Sequence, residues 1–208
     1  MLPNSNWRRT AIASLVIGAA GAAVFWHGTD GLRAITSEQA RRLSIARHPR
    51  VLPPVVLEDQ DGQKFTLATY RGRPVALDFI YTQCKSVCTL LSAALQRLDR
   101  AERSWLGEDR MQLVSISFDP ARDTPVRLSE YAARYGADGR GWRFARVHDA
   151  HDLARLLDAF GVVVVADGAG DFQHNAAIHV LDRDGRLARV LDVDTPPDAV
   201  ARALASNR

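Results

Sequence analysis

The sequence predicts an α/β domain preceded by one N-terminal hydrophobic helix. Short apolar runs typical of strands alternate with segments of helical periodicity through most of the chain, and a late hairpin and a final helix close it. Near the N-terminus, Arg8 and Arg9 precede a long stretch without charged side chains. We therefore divide the chain into an anchor or signal segment at residues 1–36, a tether at 37–52 and a folded domain at 53–208.

The N-terminal segment is typical of a membrane anchor or an export signal. Residues 11–26 are sixteen uncharged residues, between the length of a signal-peptide core and that of a full membrane span. Trp26, at the end of this stretch, suits a membrane interface and favours an uncleaved anchor over a cleaved signal. Because the basic flank is expected to stay in the cytoplasm, the rest of the chain is expected outside it.

The charge distribution argues against nucleic-acid binding. The formal net charge is +3, of which residues 1–36 carry +2 and the remaining residues +1. The domain is thus almost neutral, and it contains no concentrated basic stretch of the kind that phosphate backbones require. We expect no nucleic-acid partner.

The first half of the domain contains a predicted hairpin, two buried strands and the helix between them. Residues 55–57 and 65–67 flank the turn Asp61-Gly62 and read as a hairpin, after a short helix at 37–46 in the tether. Residues 74–81 are a nearly continuous apolar run, typical of a strand buried on both faces, and residues 111–118 read as a second buried strand. Helical spacing over residues 90–98 predicts the connecting helix.

The second half begins with a turn at Asp119-Pro120 and a helix that starts at Asp123-Thr124-Pro125. We interpret Asp119 as a turn former and Asp123 as a helix cap, with hydrogen bonding to the cysteine loop as the alternative. Residues 166–172 are expected to form a flexible loop. The remaining elements are a strand at 144–147, a helix at 150–160, a strand or its approach at 162–165, a hairpin at 176–181 and 187–191, and a helix at 197–205.

Cys84 and Cys88 are the only two cysteines of the chain, and they follow the first buried strand directly. A helix N-terminus at this position is expected to lower a thiol pKa, because it favours the thiolate. Thiolates exchange disulfides or bind soft metals, and the spacing alone leaves both open. A purely structural disulfide would close a tiny loop and stabilise little.

Three segments together resemble the Sco/SenC family. The family resemblance covers about residues 50–206, and its ordered motifs are Phe79-Ile80-Tyr81-Thr82-x-Cys84-x-x-x-Cys88, Ser117-Phe118-Asp119-Pro120-x-x-Asp123-Thr124-Pro125, and Gln173-His174 followed by residues 178–185. The resemblance implies a thioredoxin-like fold with an N-terminal β-hairpin. It also implies copper, as Cu(I) or Cu(II), with Cys84, Cys88 and His174 as ligands. His174 is expected in a loop just before a strand.

Two residues depart from the family pattern. Thr89 stands where the family usually has proline after the second cysteine, which removes no ligand. Asp78 lies in an otherwise apolar strand, six residues before Cys84. Thioredoxins commonly place an acidic residue at this spacing as a proton relay, and a buried carboxyl has a raised pKa. A role for Asp78 in folding alone is the equally weighted alternative.

The resemblance implies a metallochaperone that delivers copper to the CuA centre of a cytochrome c oxidase. Expected partners are the CuA-bearing subunit, another periplasmic copper chaperone or a thiol reductant, and the membrane through the N-terminal anchor. The expected location is the inner (cytoplasmic) membrane, with the domain on the periplasmic side. The alternative is an exported thiol–disulfide oxidoreductase that uses Cys84 and Cys88 as its redox pair and Asp78 as proton relay.

Overall fold

The computed structural model describes residues 5–29, 31, 36–84, 87–103, 111–168 and 170–205. The chain forms two compact units, residues 1–44 and residues 45–208. In the first unit, helix α1 (Ser5–Gly28) includes a stretch from Trp7 to Gly28 that is long and apolar enough to cross a membrane by length and composition. Helix α2 (Ser37–Arg47) follows and agrees with the short helix predicted at 37–46.

A seven-stranded mixed sheet organises the second unit. Its central strands run parallel and its outer strands antiparallel, in the spatial order β2-β1-β5-β4-β3-β8-β9. All residues of the central strands β3 and β4 are buried, as predicted for both. The strands are β1 (Leu57–Asp59), β2 (Lys64–Phe65), β3 (Val75–Ile80), β4 (Gln112–Ser117), β5 (Trp142–Val147), β8 (Ile178–Leu181) and β9 (Leu187–Leu191).

Helices cover both faces of this sheet. Successive residues of a strand point to opposite faces, so Asp78 and Phe79 face different helices. Phe79 packs edge-on against Phe160 of α5, whereas α3 and α4 pack on β3, β4 and β5 on the other face, where Tyr131 meets Phe144. The helices are α3 (Val87–Arg103), α4 (Pro125–Tyr135), α5 (Ala150–Phe160) and α6 (Pro197–Ala205).

A second, two-stranded sheet flanks the predicted loop at residues 166–172. Strands β6 (Val164–Ala166) and β7 (Phe172–His174) pair antiparallel, and Gly168 and Gly170 lie in the turn with positive φ angles of 79° and 97°. The predicted loop therefore agrees with the structure except at its two end residues, and the strand or approach predicted at 162–165 overlaps β6, whereas β7 was not predicted. His174 is accordingly the last residue of a strand, and its predicted loop position was wrong.

Candidate metal centre

The two cysteines lie where β3 ends and α3 begins, at the carboxyl edge of the parallel strands. Cys84 is 5 % exposed and Cys88 is fully buried, and no disulfide joins the two. Cys88 lies in the first turn of α3, and its backbone N–H donates to Cys84 Sγ at 3.3 Å. The helix N-terminus therefore points at Cys84, which places both sulfurs at one site.

His174 reaches this site from the far end of the sequence. Its Nε2 lies 3.4 Å from Cys88 Sγ, across 86 residues of chain. The imidazole packs against the ring of Phe118 in an edge-to-face arrangement, with ring centroids 5.0 Å apart. Among the described residues, His174 Nδ1 is buried and has no hydrogen-bond partner. The fold thus brings together the three residues that the family resemblance implied.

The three groups are adjacent without forming a compact triad. The ligand atoms of Cys84, Cys88 and His174 do not all lie within 4.8 Å of one another. Among the described residues, the ligand atoms of Asp149, His151 and Asp152 do. That exposed group belongs to the N-terminus of α5, where the Asp149 side chain caps the helix. At least one pair of the ligand atoms of Cys84, Cys88 and His174 is therefore farther apart than 4.8 Å, although Cys88 Sγ and His174 Nε2 are 3.4 Å apart.

Burial controls the protonation of both groups in this contact. It raises the pKa of the Cys88 thiol, with smaller contributions from the neighbouring Cys84 and the charge of Asp78. The predicted lowering of a thiol pKa by the helix end is therefore wrong for Cys88. Burial also lowers the pKa of His174, which keeps its imidazole neutral and able to donate an electron pair.

Asp123 fixes the loop that leads to Cys84, and this corrects its predicted role as a helix cap. Its fully buried carboxylate accepts from the Thr82 N–H at 3.0 Å, from Thr82 Oγ1 at 2.5 Å and from Ser117 Oγ at 2.5 Å. Thr124 caps α4 instead, by accepting from the N–H of Arg127. The alternative that had been left open, hydrogen bonding to the cysteine loop, describes Asp123 correctly.

Asp119 and Arg122 form a bridge that sequence reasoning missed. Asp119 starts the turn after β4, as predicted, and its carboxylate accepts from Arg122 Nε. Arg122 also donates to the backbone carbonyl of Gly170, and its guanidinium lies 5.1 Å from the ring centroid of Phe172. Nothing in the sequence indicates this bridge, because Gly170 is 48 residues away.

Asp78 is a buried carboxyl on the face of the sheet that α3 covers. Both of its oxygens lack a hydrogen-bond partner among the described residues. Burial raises the pKa of Asp78 to about 7, and the nearby Ser115 hydroxyl offsets only part of this rise. Asp78 is thus an ionisable group at neutral pH, electrostatically coupled to Cys88. His179, by contrast, is buried between the rings of Phe79 and Phe160 and has a structural role.

The fold and the site together define a thioredoxin-like domain with a buried dithiol beside an imidazole, which confirms the predicted fold class. A family model described as SCO1/SenC matches residues 45–207. The chain belongs to the SCO1/SenC family.

Relatives of known name agree with this assignment. A protein of Stutzerimonas stutzeri whose name describes copper binding is 30% identical over 171 residues, which cover 80% of this chain and 81% of the relative. The structure of Bradyrhizobium japonicum ScoI with copper bound is similar with a TM-score of 0.64 and 26% identity, over 76% of this chain and 99% of that one. A SCO1/SenC family lipoprotein of Bacillus anthracis has the same fold, with a TM-score of 0.70, 23% identity and coverage of 77% and 98%.

Proposed function

We propose that this protein is a copper metallochaperone that helps to assemble the CuA centre of a cytochrome c oxidase. The observation that carries the proposal is the contact of 3.4 Å between Cys88 Sγ and His174 Nε2, beside the sulfur of Cys84. Membership of the SCO1/SenC family and relatives named for copper support the same metal.

Copper is the cargo that this donor set fits. Cu(I) is a soft ion that prefers thiolate ligands and also accepts imidazole, so Cys84, Cys88 and His174 can hold it together. Structural zinc generally takes four protein ligands, and the site offers three. The neutral state of His174 suits metal binding, whereas the raised pKa of Cys88 means that copper must displace a proton from this thiol.

Delivery follows from the position of the ligands at the edge of the sheet. Copper can pass to the cysteines of the CuA-bearing subunit by exchanging one ligand at a time, so the ion is never free. In the proposed arrangement, residues 1–36 anchor the chain in the cytoplasmic membrane and residues 37–52 lead to the domain at 53–208 on the periplasmic side. A periplasmic copper chaperone or thiol reductant supplies copper or keeps Cys84 and Cys88 reduced.

Copper titration of the full chain in detergent tests the ligand set. We expect one copper per chain, retained against a competing chelator, and loss of tight binding in Cys84→Ser and Cys88→Ser. His174→Ala should bind more weakly, and His151→Ala is the matched control because His151 is an exposed histidine at the start of α5. Equal affinities of His174→Ala and the wild type would show that the ligand assignment is wrong.

Transfer to a recipient tests the chaperone role. The copper-loaded full chain is mixed with a metal-free CuA domain whose cysteines are reduced, and the CuA absorbance is followed. We expect the centre to form with the wild type and to fail with Cys88→Ser. CuA formation at the same rate from a copper–chelator complex would remove the need for a chaperone.

The buried carboxyl of Asp78 supports a second proposed activity, the reduction of disulfides in a target protein. In this step the thiols of Cys84 and Cys88 lose two electrons and two protons and form a disulfide, while the target disulfide gains them and becomes two thiols. A proton must leave the buried Cys88, and the carboxyl of Asp78, with a pKa of about 7, can take up or release one near neutral pH. The two activities are compatible, because CuA cysteines must be reduced before they bind copper.

Reduction of a disulfide-containing substrate such as insulin, by the full chain, tests the role of Asp78. We expect turnover near neutral pH that falls in Asp78→Asn, with a changed pH profile rather than a uniform loss. Asp198→Asn is the control, since Asp198 is an exposed carboxylate in the first turn of α6. An unchanged pH profile in Asp78→Asn would exclude Asp78 as the proton relay.

A further inference from the structure

The hairpin that carries His174 has little support from the main sheet. Strands β6 and β7 pair with each other, and neither joins the seven-stranded sheet. Val163 and Val165 are 63 % and 56 % exposed, so the outer side of the hairpin faces solvent. The position of His174 therefore depends on the packing of Val164 and Phe172 against the core and on the side chains that hold the two ends of this hairpin.

Asn175 holds the base of the hairpin. Its side-chain oxygen accepts from the N–H of Val163 at 2.7 Å, and its side-chain nitrogen donates to the carbonyl of Gly161 at 2.9 Å. These bonds tie both strands to the C-terminal end of α5. They fix the base of the hairpin, and they leave the turn around Gly168 and Gly170 to other contacts.

Arg122 holds the turn of the hairpin. Its Nη1 donates to the Gly170 carbonyl at 2.6 Å, and its guanidinium covers the Phe172 ring. The same Nη1 lies 3.4 Å from Oε1 of Gln83, the residue before Cys84, and Nε donates to the Asp119 carboxylate. One planar side chain therefore joins the turn after β4, the cysteine loop and the hairpin.

We infer that Arg122 is a positioning residue for the copper site, and that it acts by holding His174 over the dithiol. The inference rests on the proposed function, since it takes His174 to be a copper ligand. His174 Nε2 lies 3.4 Å from Cys88 Sγ, and a tilt of the hairpin would move the imidazole away from an ion held by the two sulfurs. Arg122 opposes a tilt away from the cysteines, since its contacts lie at the end of the hairpin opposite Asn175.

The geometry of these contacts requires arginine. A guanidinium presents donors in several directions within one plane and stacks on an aromatic ring, whereas lysine is a point charge. Arg122→Lys should keep the ion pair with Asp119 and lose the simultaneous contacts with Gly170 and Phe172. An ordinary surface ion pair would behave differently. Arg155 is such a case, because it pairs with Asp152 three residues earlier on the same helix.

A double-mutant cycle on the full chain in detergent tests this inference. Cu(I) affinity is measured by competition with a chelator in the wild type, Arg122→Ala, His174→Ala and the double variant. We expect Arg122→Ala to weaken binding about tenfold, as the loss of one charge-assisted hydrogen bond would. The double variant should bind like His174→Ala alone, because Arg122 acts through His174.

Spectroscopy separates positioning from a general loss of structure. With Cu(II) bound, Arg122→Ala should lose nitrogen hyperfine coupling in the electron paramagnetic resonance spectrum, Arg122→Lys should be intermediate, and Arg155→Ala should match the wild type. A wild-type spectrum in Arg122→Ala, or fully additive effects in the cycle, would overturn the inference.

Hydrogen exchange distinguishes failure of this inference from failure of the proposed function. Without copper, amides of residues 164–174 should exchange faster in Arg122→Ala than in Arg155→Ala, with an unchanged melting temperature. Unchanged exchange would overturn the role of Arg122 even if copper binds. A wild type that takes up no copper would overturn the proposed function, whatever the exchange shows.

Discussion

The two sides of the candidate metal centre are built very differently. Cys84 and Cys88 follow β3, a strand whose six residues are all buried. The loop from the end of β3 to Cys84 is fixed by the three hydrogen bonds of Asp123. His174 ends a three-residue strand of a separate sheet, part of which faces solvent. The dithiol is thus part of the core of the domain, whereas the imidazole is attached to it by a small number of side chains.

This difference suits a protein that must release its metal. Segments with few buried contacts open at a lower free energy than core strands, so the hairpin can move without unfolding the sheet. Withdrawal of His174 would free one coordination position while the two sulfurs keep the ion. A recipient could then supply its own ligand before the copper leaves Cys84 and Cys88.

The largest expected effect comes from the fixed side. Asp123→Ala should lower the free energy of unfolding by about 5 kcal/mol, because three hydrogen bonds to a buried carboxylate are lost and the Thr82 N–H is left without an acceptor. Denaturant unfolding measures this loss. The variant should also bind copper weakly, since the loop before Cys84 is no longer held.

Thr124→Ala is the matched control for Asp123. Thr124 is the neighbouring residue and the observed cap of α4, so its loss should cost about 1 kcal/mol and leave copper affinity unchanged. If the two variants cost the same, the hydrogen bonds of Asp123 would matter no more than an ordinary cap, and the cysteine loop would not be fixed as described.

The fixed side is also the side that the sequence predicts well. Buried strands leave long apolar runs, and turn and cap residues mark where they end, so the strands β3 and β4 and the helices after them could be located to within a few residues. The family motif around Cys84 and Cys88 adds the chemistry. Local periodicity is enough here because the core selects apolar residues at most positions of these strands.

The hairpin and its contacts could not be predicted for a physical reason. Strands β6 and β7 are short and half exposed, so burial imposes no period on them. The sequence indicated a strand or its approach at 162–165 and a loop at 166–172, but it did not indicate the second strand or the pairing. Asp123 beside Thr124 and Pro125 looks like a cap, and only the fold shows that its carboxylate turns toward Thr82. Arg122 could be assigned no role until Gly170 and Gln83 were brought to it.

The next largest effect concerns the buried charge on the fixed side. The pKa of Asp78 is about 7 in the fold against 3.8 for the free side chain, so between these values the unfolded chain releases a proton that the folded chain keeps. Stability should therefore fall as pH rises from about 4 to about 7, by on the order of 4 kcal/mol, and then level off.

Asp78→Asn should remove this slope. Relative to the wild type, the variant should gain stability progressively from pH 4 to pH 7, as measured by denaturant unfolding at several pH values. His174, whose lowered pKa costs stability as pH falls, is present in both proteins and cancels in the difference. A difference between the two proteins that does not change with pH would mean that Asp78 does not titrate in this range.

The smallest of the three effects on stability is expected on the hairpin side, for Phe172. There the loss of copper affinity should be large relative to the loss of stability. Phe172 lies edge-on to Tyr81 and Phe118, at centroid distances of 5.3 and 5.6 Å, and it is only partly buried. Phe172→Ala should cost about 1–2 kcal/mol in unfolding, since edge-to-face pairs are worth about 0.5–1.5 kcal/mol each. Copper affinity should fall nonetheless, because Phe172 holds the strand that ends at His174.

Phe65→Ala is the control with the same kinds of neighbour. Phe65 lies edge-on to Tyr70 and beneath the guanidinium of Arg143, but on β2, at the far edge of the main sheet. It is 8 % exposed, so its loss should cost more stability than that of Phe172 and leave copper affinity unchanged. If copper affinity instead followed stability in both variants, the imidazole would be held by the fold as a whole. The hairpin of β6 and β7 would then not move independently of the main sheet.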